Sequence, residues 1–235
     1  MVNTKNIKHI FFDLDDTLWD FEKNSSAVLQ NLFIEFDLQT KLNTSFNLFF
    51  YHYKLINTSL WQQYYKKQIT KEYLRNNRFN EAFKYFKYDN YDLNLLVTEA
   101  YLSRSPHGKI LKENCIEVLD FLKPNYNLHI ITNGFKEVQN IKIDACNIGH
   151  YFTSIIISEE HNLTKPDKQL FTLAQTINNT ISTECIMIGD NYDADVLGAK
   201  NAGWQSIWLN ESVTSNEPNQ IKNLKQLIQF FKPNN

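Results

Sequence analysis

The run Ile-Lys-His-Ile-Phe-Phe at residues 7–12 stands alone near the start of the chain, and no comparable run appears between Phe21 and Tyr101. So many β-branched and aromatic residues in so short a segment suit a strand buried on both faces of a parallel sheet. Such a strand needs neighbours, and they must come from beyond whatever lies between. What lies between is roughly eighty residues in which apolar and aromatic side chains recur at helical steps of three and four. Phe46, Phe49, Phe50 and Tyr53 form one such series, and Leu74, Phe79, Phe83 and Phe86 another. Thr70 and the Asn43-Thr44 pair offer side-chain oxygens to cap two of these helices.

After the break Ser105-Pro106-His107-Gly108 the pattern changes to strict alternation. Helices are predicted at 111–122, 136–146, 168–177 and 193–202, interleaved with strands at 127–132, 154–157, 185–188 and 205–209. A polar loop at 210–219 and a closing helix at 220–231 complete the chain. Alternation of this kind predicts an α/β fold: a doubly wound parallel sheet, Rossmann-like, with an inserted α-helical cap domain. The expected boundaries are 1–18 and 106–235 for the core and 19–105 for the cap.

Composition matters mainly for what it excludes. A net charge of −2 with both signs interspersed gives no standing attraction for nucleic acid or an anionic membrane. No stretch approaches the ~18 apolar residues that span a bilayer, and the first residues lack the apolar run of a leader, so the chain reads as cytoplasmic. Cys115, Cys146 and Cys185 are widely spaced and read as buried thiols. The six histidines, His9, His52, His107, His129, His150 and His161, show no zinc-binding spacing. Nothing in the sequence sets the oligomeric state, monomer or homodimer.

Ligands of an open parallel sheet collect at the carboxyl ends of its strands. Polar clusters stand at those ends: Asp13-Leu14-Asp15-Asp16-Thr17, then Thr132-Asn133-Gly134, then Gly189-Asp190-Asn191-Tyr192-Asp193-Ala194-Asp195. Lys165-Pro166-Asp167 precedes the helix that feeds the last of these strands. If the first strand continued, Asp13 and Asp15 would point to one side, and Asp190 would enter the same crevice from a neighbouring strand. Two like charges at 4 Å cost on the order of 4 kcal/mol at an effective dielectric of ~20. Three carboxylates in a small volume therefore imply a divalent cation, a shared proton, or both, and an all-oxygen set suits Mg²⁺.

The four clusters, in this order and with a helical insertion after the first, resemble the haloacid dehalogenase (HAD) superfamily of phosphohydrolases. The resemblance implies a Mg²⁺-dependent phosphatase acting on a small phosphorylated metabolite through an aspartyl-phosphate intermediate. By it, Asp13 is the nucleophile, Asp15 the acid and base whose main-chain carbonyl helps bind the metal, and Asp190 a side-chain ligand. Asp195 and Asn191 orient the metal's surroundings, and Thr17 fixes the first loop. Thr132, Asn133 and Gly134 hold the phosphoryl group, while Lys165 offsets the charge of Asp13 and phosphate together. Dehalogenating members lack an aspartate at the position of Asp15, which points to phosphate here.

Phe12 to Phe21 together with Thr132-Asn133-Gly134-Phe135 are similar to the pyrimidine 5'-nucleotidase branch. Trp19 and Phe21 follow the nucleophile loop closely enough to stack on a base; packing at a hinge is the other reading. A sugar-phosphate phosphatase, a phosphomutase and a non-catalytic binding module remain as alternatives. Asp193 reads as a helix-start residue, and Trp61, Tyr64 and Tyr65 as helix packing. Lys66, Lys67, Arg75 and Arg78 read as a solvated face from which one side chain could reach a substrate anion.

Overall fold

The computed structural model describes residues 2–212 and 218–232. It divides into two compact units, Met1–Phe21 with Lys109–Asn235, and Glu22–Gly108. The second unit is helical: α1 (Phe21–Glu35), α2 (Leu38–Leu42), α3 (Phe46–Tyr65), α4 (Lys71–Tyr85) and α5 (Tyr91–Arg104). Its interior is built from Leu29, Leu32, Phe33, Phe49, Tyr53, Phe79, Phe83, Val97 and Tyr101. Thr70 Oγ1 accepts the Tyr73 amide at 3.1 Å and starts α4 as expected. The expected start at Asn43-Thr44 is displaced: Asn43 ends α2 with φ of 47°, and Ser45 Oγ caps α3 instead.

Arg78 also departs from expectation, for it is 5% exposed rather than solvated. It lies four residues after Leu74 and four before Ala82, so helical geometry puts it on the buried stripe of α4.

The α/β unit contains the strands β1 (His9–Phe12), β2 (Asn127–Thr132), β3 (Phe152–Ile157), β4 (Cys185–Gly189), β5 (Gln205–Leu209) and β6 (Gln220–Ile221). All pair in parallel, in the spatial order β3-β2-β1-β4-β5-β6. Its helices are α6 (Cys115–Leu122), α7 (Lys136–Ala145), α8 (Lys168–Ile177), α9 (Gly198–Asn201) and α10 (Leu227–Phe231). Strand alternation sends Ile10 and Phe12 to one face, against Val118, Leu119 and Leu122 of α6 and Leu227 and Phe231 of α10. Phe11 goes to the other, against Leu170, Phe171 and Ala174 of α8 and Ala199 of α9. Both faces of β1 are therefore buried, which is why its sequence is uniformly apolar after His9.

Several predicted elements change at their ends. The helix expected from residue 111 begins at Cys115, because Leu111 instead forms a bridge to Trp19. The expected helix 193–202 is a π-helical segment, Tyr192–Leu197, that runs into α9, with Asn191 rather than Asp193 capping its start through the Ala194 amide. The closing helix is preceded by β6, whose Ile221 amide-carbonyl ladder extends the sheet beside Leu209. Of the polar loop at 210–219, residues 213–217 lie outside the described residues. The α/β unit also runs on to Phe21 rather than ending at residue 18, since Trp19 is fully buried in it and the Asp20 amide donates to Ile110 O.

Candidate active site

Strand order reverses direction at β1, whose neighbours are β2 on one side and β4 on the other. Loops leaving the carboxyl ends of adjacent strands on opposite sides open a crevice there, and the polar clusters follow those three strands. The Asp13 amide donates to Ile188 O at 2.9 Å, which carries the pairing of β1 with β4 one residue past the strand and fixes the backbone under the carboxylate.

Lys165 is the hub of this site. Its ammonium, 3% exposed, donates to Asp13 Oδ1 at 2.6 Å, to Asp195 Oδ1 at 2.6 Å and to Ile131 O at 2.8 Å, so all three of its protons are used. Asn133 fixes the loop that delivers it: Asn133 Nδ2 donates to Lys165 O at 3.0 Å and the Lys165 amide returns to Asn133 Oδ1 at 2.9 Å. Burial by itself would lower the pKa of Lys165, yet Asp13 and Asp195 hold it above its ordinary value.

Carboxylate oxygens of Asp13, Asp190 and Asp195 lie within 4.8 Å of one another. Burial, only partly offset by Lys165, pushes Asp13 well above the usual carboxylate range, with Asp195 and Asp190 adding to the rise. Asp190 is pushed up to about 7, by burial first and then by Asp195 and Asp16. With Lys165 protonated and the three carboxylates ionised, the cluster carries two net negative charges. That charge and an all-oxygen donor set fit a hard divalent cation.

The surrounding groups are tightly placed. Thr17 Oγ1 donates to Asp190 Oδ1 at 3.1 Å and accepts the Asp190 amide at 3.1 Å, so it fixes the Asp190 loop as well as its own. Asp195 Oδ2 accepts the Asn191 amide at 3.1 Å, and a Cβ on Gly189 would meet that same oxygen at 2.1 Å. Gly189 is therefore required for close approach of a carboxylate to the strand end. Thr132 Oγ1 accepts the Gly134 amide at 3.2 Å and Gln139 Nε2 at 2.6 Å, which leaves its own proton to give.

Two expectations fail. Asp15 does not join the carboxylate cluster, because β1 stops at Phe12 and the chain turns: Asp15 bridges to Trp19 and Asp16 adopts φ of 59°. The alternation assumed for a continuing strand does not apply, and Asp195 takes the third place. Trp19 offers no face for a base, being fully buried among the side chains of the α/β core, with Phe21 packed at its edge. Asp193 lies outside the cluster.

Asp15 is held instead by two residues that the sequence reading passed over. Lys142 Nζ donates to Asp15 Oδ1 at 2.6 Å, and Gln139 Nε2 to Asp15 Oδ2 at 3.0 Å. Lys142 also stands 4.5 Å above the Trp19 ring. Gln139 thus links the Thr132 hydroxyl to Asp15, and Gly134 makes room for it, since a Cβ there would meet its amide at 2.3 Å. The signal was present: on α7 the buried positions are Gln139, Lys142 and Ile143, two polar residues at core-facing spacing.

Comparison with known proteins agrees with this geometry. The haloacid dehalogenase-like hydrolase profile matches residues 7–203. The chain belongs to that family. Over 202 residues it is 30% identical to pyrimidine 5'-nucleotidase YjjG of Escherichia coli, covering 86% of this chain and 85% of that one. Over 208 residues it is 30% identical to pyrimidine 5'-nucleotidase PynA of Streptococcus pneumoniae, covering 86% and 84%. The crystal structure of the HAD-hydrolase YfnB from Bacillus subtilis bound to magnesium superposes with a TM-score of 0.83 at 25% identity, covering 96% of this chain and 99% of that one. As a haloacid dehalogenase-like hydrolase, the protein has a parallel six-stranded sheet flanked by helices, together with a helical cap. Among the described residues no helix is long and apolar enough to cross a membrane.

Proposed function

We propose that this hydrolase is a Mg²⁺-dependent phosphatase acting on nucleoside 5'-monophosphates, with Asp13 as a covalent nucleophile. The observation that carries the reading is the Asp13 carboxylate, set at the end of the central strand, held by buried Lys165 and facing Asp190 and Asp195. A carboxylate fixed in this way presents one oxygen to Lys165 and keeps the other for attack on phosphorus. Asp190 and Asp13, with the main-chain carbonyl of Asp15, would hold Mg²⁺, and Asp195 would steady both Lys165 and the Asn191 backbone beside it. When bound, the metal would supply a Lewis acid that neutralises phosphoryl oxygens.

The protein groups do the remaining work. Lys165 balances charge as the phosphoryl group moves to Asp13 Oδ, forming the aspartyl phosphate while the bond to the leaving oxygen breaks. Thr132 with the Asn133 amide holds the equatorial oxygens, and Gly134 lets Gln139 close behind them. Asp15, which Lys142 and Gln139 hold as a carboxylate, takes up a proton from solvent on leaving them, gives that proton to the leaving oxygen and later takes one from the attacking water. Restriction to nucleoside monophosphates is supported by the two pyrimidine 5'-nucleotidases among the relatives.

The test is phosphate release from a panel of nucleoside monophosphates, sugar phosphates and phosphoglycolate, with Mg²⁺ or with EDTA, using wild type and Asp13→Asn. The expected result is metal-dependent release, best with a nucleotide, that falls by roughly three or more orders of magnitude in the variant. An unchanged rate in Asp13→Asn would end the covalent mechanism. A sugar phosphate as best substrate would end the nucleotidase reading and leave the phosphatase one.

A further inference from the structure

One amide group serves two parts of the site. Gln139 of α7 is fully buried, and its Nε2 sends one hydrogen to Thr132 Oγ1 at 2.6 Å and the other to Asp15 Oδ2 at 3.0 Å. Gln139, Thr132 and Asp15 all belong to the α/β unit, so the arrangement lies within it. Three residues further along α7, Lys142 Nζ donates to the other Asp15 oxygen, Oδ1, at 2.6 Å.

The amide holds this orientation against its own interest. Gln139 Oε1 is buried without a hydrogen-bond partner among the described residues, a deficit that buried amide oxygens normally avoid. The reverse orientation would set Oε1 against Asp15 Oδ2, oxygen against oxygen, and take a donor from the carboxylate. Asp15 therefore decides which end of the amide faces Thr132. Packing holds the amide in place as well, because Gly134 lies so close that a Cβ there would meet Gln139 Cδ and Nε2 at 2.3 Å.

The consequence falls on Thr132. A hydroxyl has two lone pairs and one proton. The Gly134 amide occupies one lone pair at 3.2 Å and Gln139 Nε2 the other, so towards any further partner Thr132 can only donate. Donation is what a phosphoryl oxygen needs. With an apolar side chain at residue 139, one lone pair would stand open and the proton would be free to turn away from the phosphoryl position.

We propose that Gln139 is a positioning residue that sets two polarities with one amide: it commits the Thr132 hydroxyl to donate to the phosphoryl group, and it holds Asp15 as an acceptor beside it. The inference rests on the phosphatase reading and adds to it a residue that acts through both Thr132 and Asp15. The two arms of the amide have separate consequences, one for phosphate affinity and one for turnover.

The experiment measures kcat for the best substrate of the panel, followed through its dephosphorylated product, and the inhibition constant of inorganic phosphate. Wild type, Gln139→Met, Thr132→Val and the double variant are compared. Gln139→Met should raise the phosphate constant about threefold to tenfold in the wild-type background. In the Thr132→Val background the same change should stay within about twofold, since no hydroxyl is left to orient. Its effect on kcat should be a fall of about threefold to tenfold in both backgrounds, because the Asp15 arm does not pass through Thr132. Gly134→Ala, whose Cβ would push the amide aside, should reproduce the pattern and carries the test if Gln139→Met fails to fold. An equal rise of the phosphate constant in both backgrounds, as from loosened packing, would overturn the positioning role alone, and so would an unchanged kcat. A wild type inactive on the whole panel would end the phosphatase reading and the positioning role with it.

Discussion

Lys165 in the α/β unit and Arg78 in the helical unit are buried almost equally, at 3% and 5% exposure, yet their surroundings are opposite. Lys165 has two carboxylates and a carbonyl, one for each proton. Arg78 has aromatic neighbours and, among the described residues, no carboxylate. Lys142 stands between them, 6% exposed, with one half-buried carboxylate, Asp15, and one aromatic face. The difference teaches that a buried cation can be held by carboxylates or set against aromatic rings and a phenol. Removing the first kind leaves buried anions behind, whereas removing the second does not.

Removing Lys165 should break the comparison most violently. Lys165→Met leaves Asp13 and Asp195 facing each other without a cation, so phosphate release should fall by at least roughly a thousandfold and stability by about 3–5 kcal/mol. Single-turnover kinetics and urea denaturation measure the two losses separately. Stability close to that of wild type would mean that the pair of carboxylates does not depend on Lys165.

The next largest effect concerns pH. Asp190 sits at about 7 in the protein without metal, above its unfolded value of ~3.9, so the folded state binds the extra proton between those limits. Folding stability without metal is therefore highest at low pH within this window and declines as pH rises through about 7. Asp13, also raised, adds to the decline. Saturating Mg²⁺ should reverse the slope, since it binds only the ionised carboxylates, and its affinity should weaken below pH 7. Urea midpoints from pH 5 to 8, with EDTA and with Mg²⁺, give both slopes; a metal-free midpoint that climbs with pH would contradict the buried cluster.

Smaller changes sharpen the comparison. Lys142→Met should lower kcat about tenfold with KM nearly unchanged, because Asp15 loses its charged partner and the Thr132 side keeps Gln139. Lys142→Arg should recover much of that loss, and a shift in KM alone would argue against positioning of Asp15. Arg78→Met should change stability least, within about 1 kcal/mol of wild type and in either direction, since no carboxylate is orphaned when the charge goes. A loss as large as that of Lys165→Met would show that aromatic rings hold a buried cation as firmly as carboxylates do.

Much of this could be read from the chain because it depends on local chemistry. The apolar run before Asp13, the strand-helix alternation after residue 105 and the capping by Thr70 each arise from side chains a few residues apart. Elements failed where a distant partner intervened. Leu111 left its predicted helix to bridge Trp19, and Gln220–Ile221 joined the sheet edge beside β5. Trp19 looked available for a base because it follows the nucleophile loop so closely, but Lys142 and the α/β core cover it.

The sequence by itself determined the strand ends at which Asp13, Thr132 and Asp190 stand, because periodicity and strand-end chemistry are properties of neighbouring residues. Only the tertiary structure decided that Asp195 and not Asp15 completes the carboxylate cluster, that Gln139 and Lys142 hold Asp15, and that Arg78 is buried against the Tyr101 ring. Each of those depends on where a turn aims a side chain and on what another element brings against it. Burial and partnership are set by residues far apart in the chain, so the energies that fix them exist only once the fold has formed.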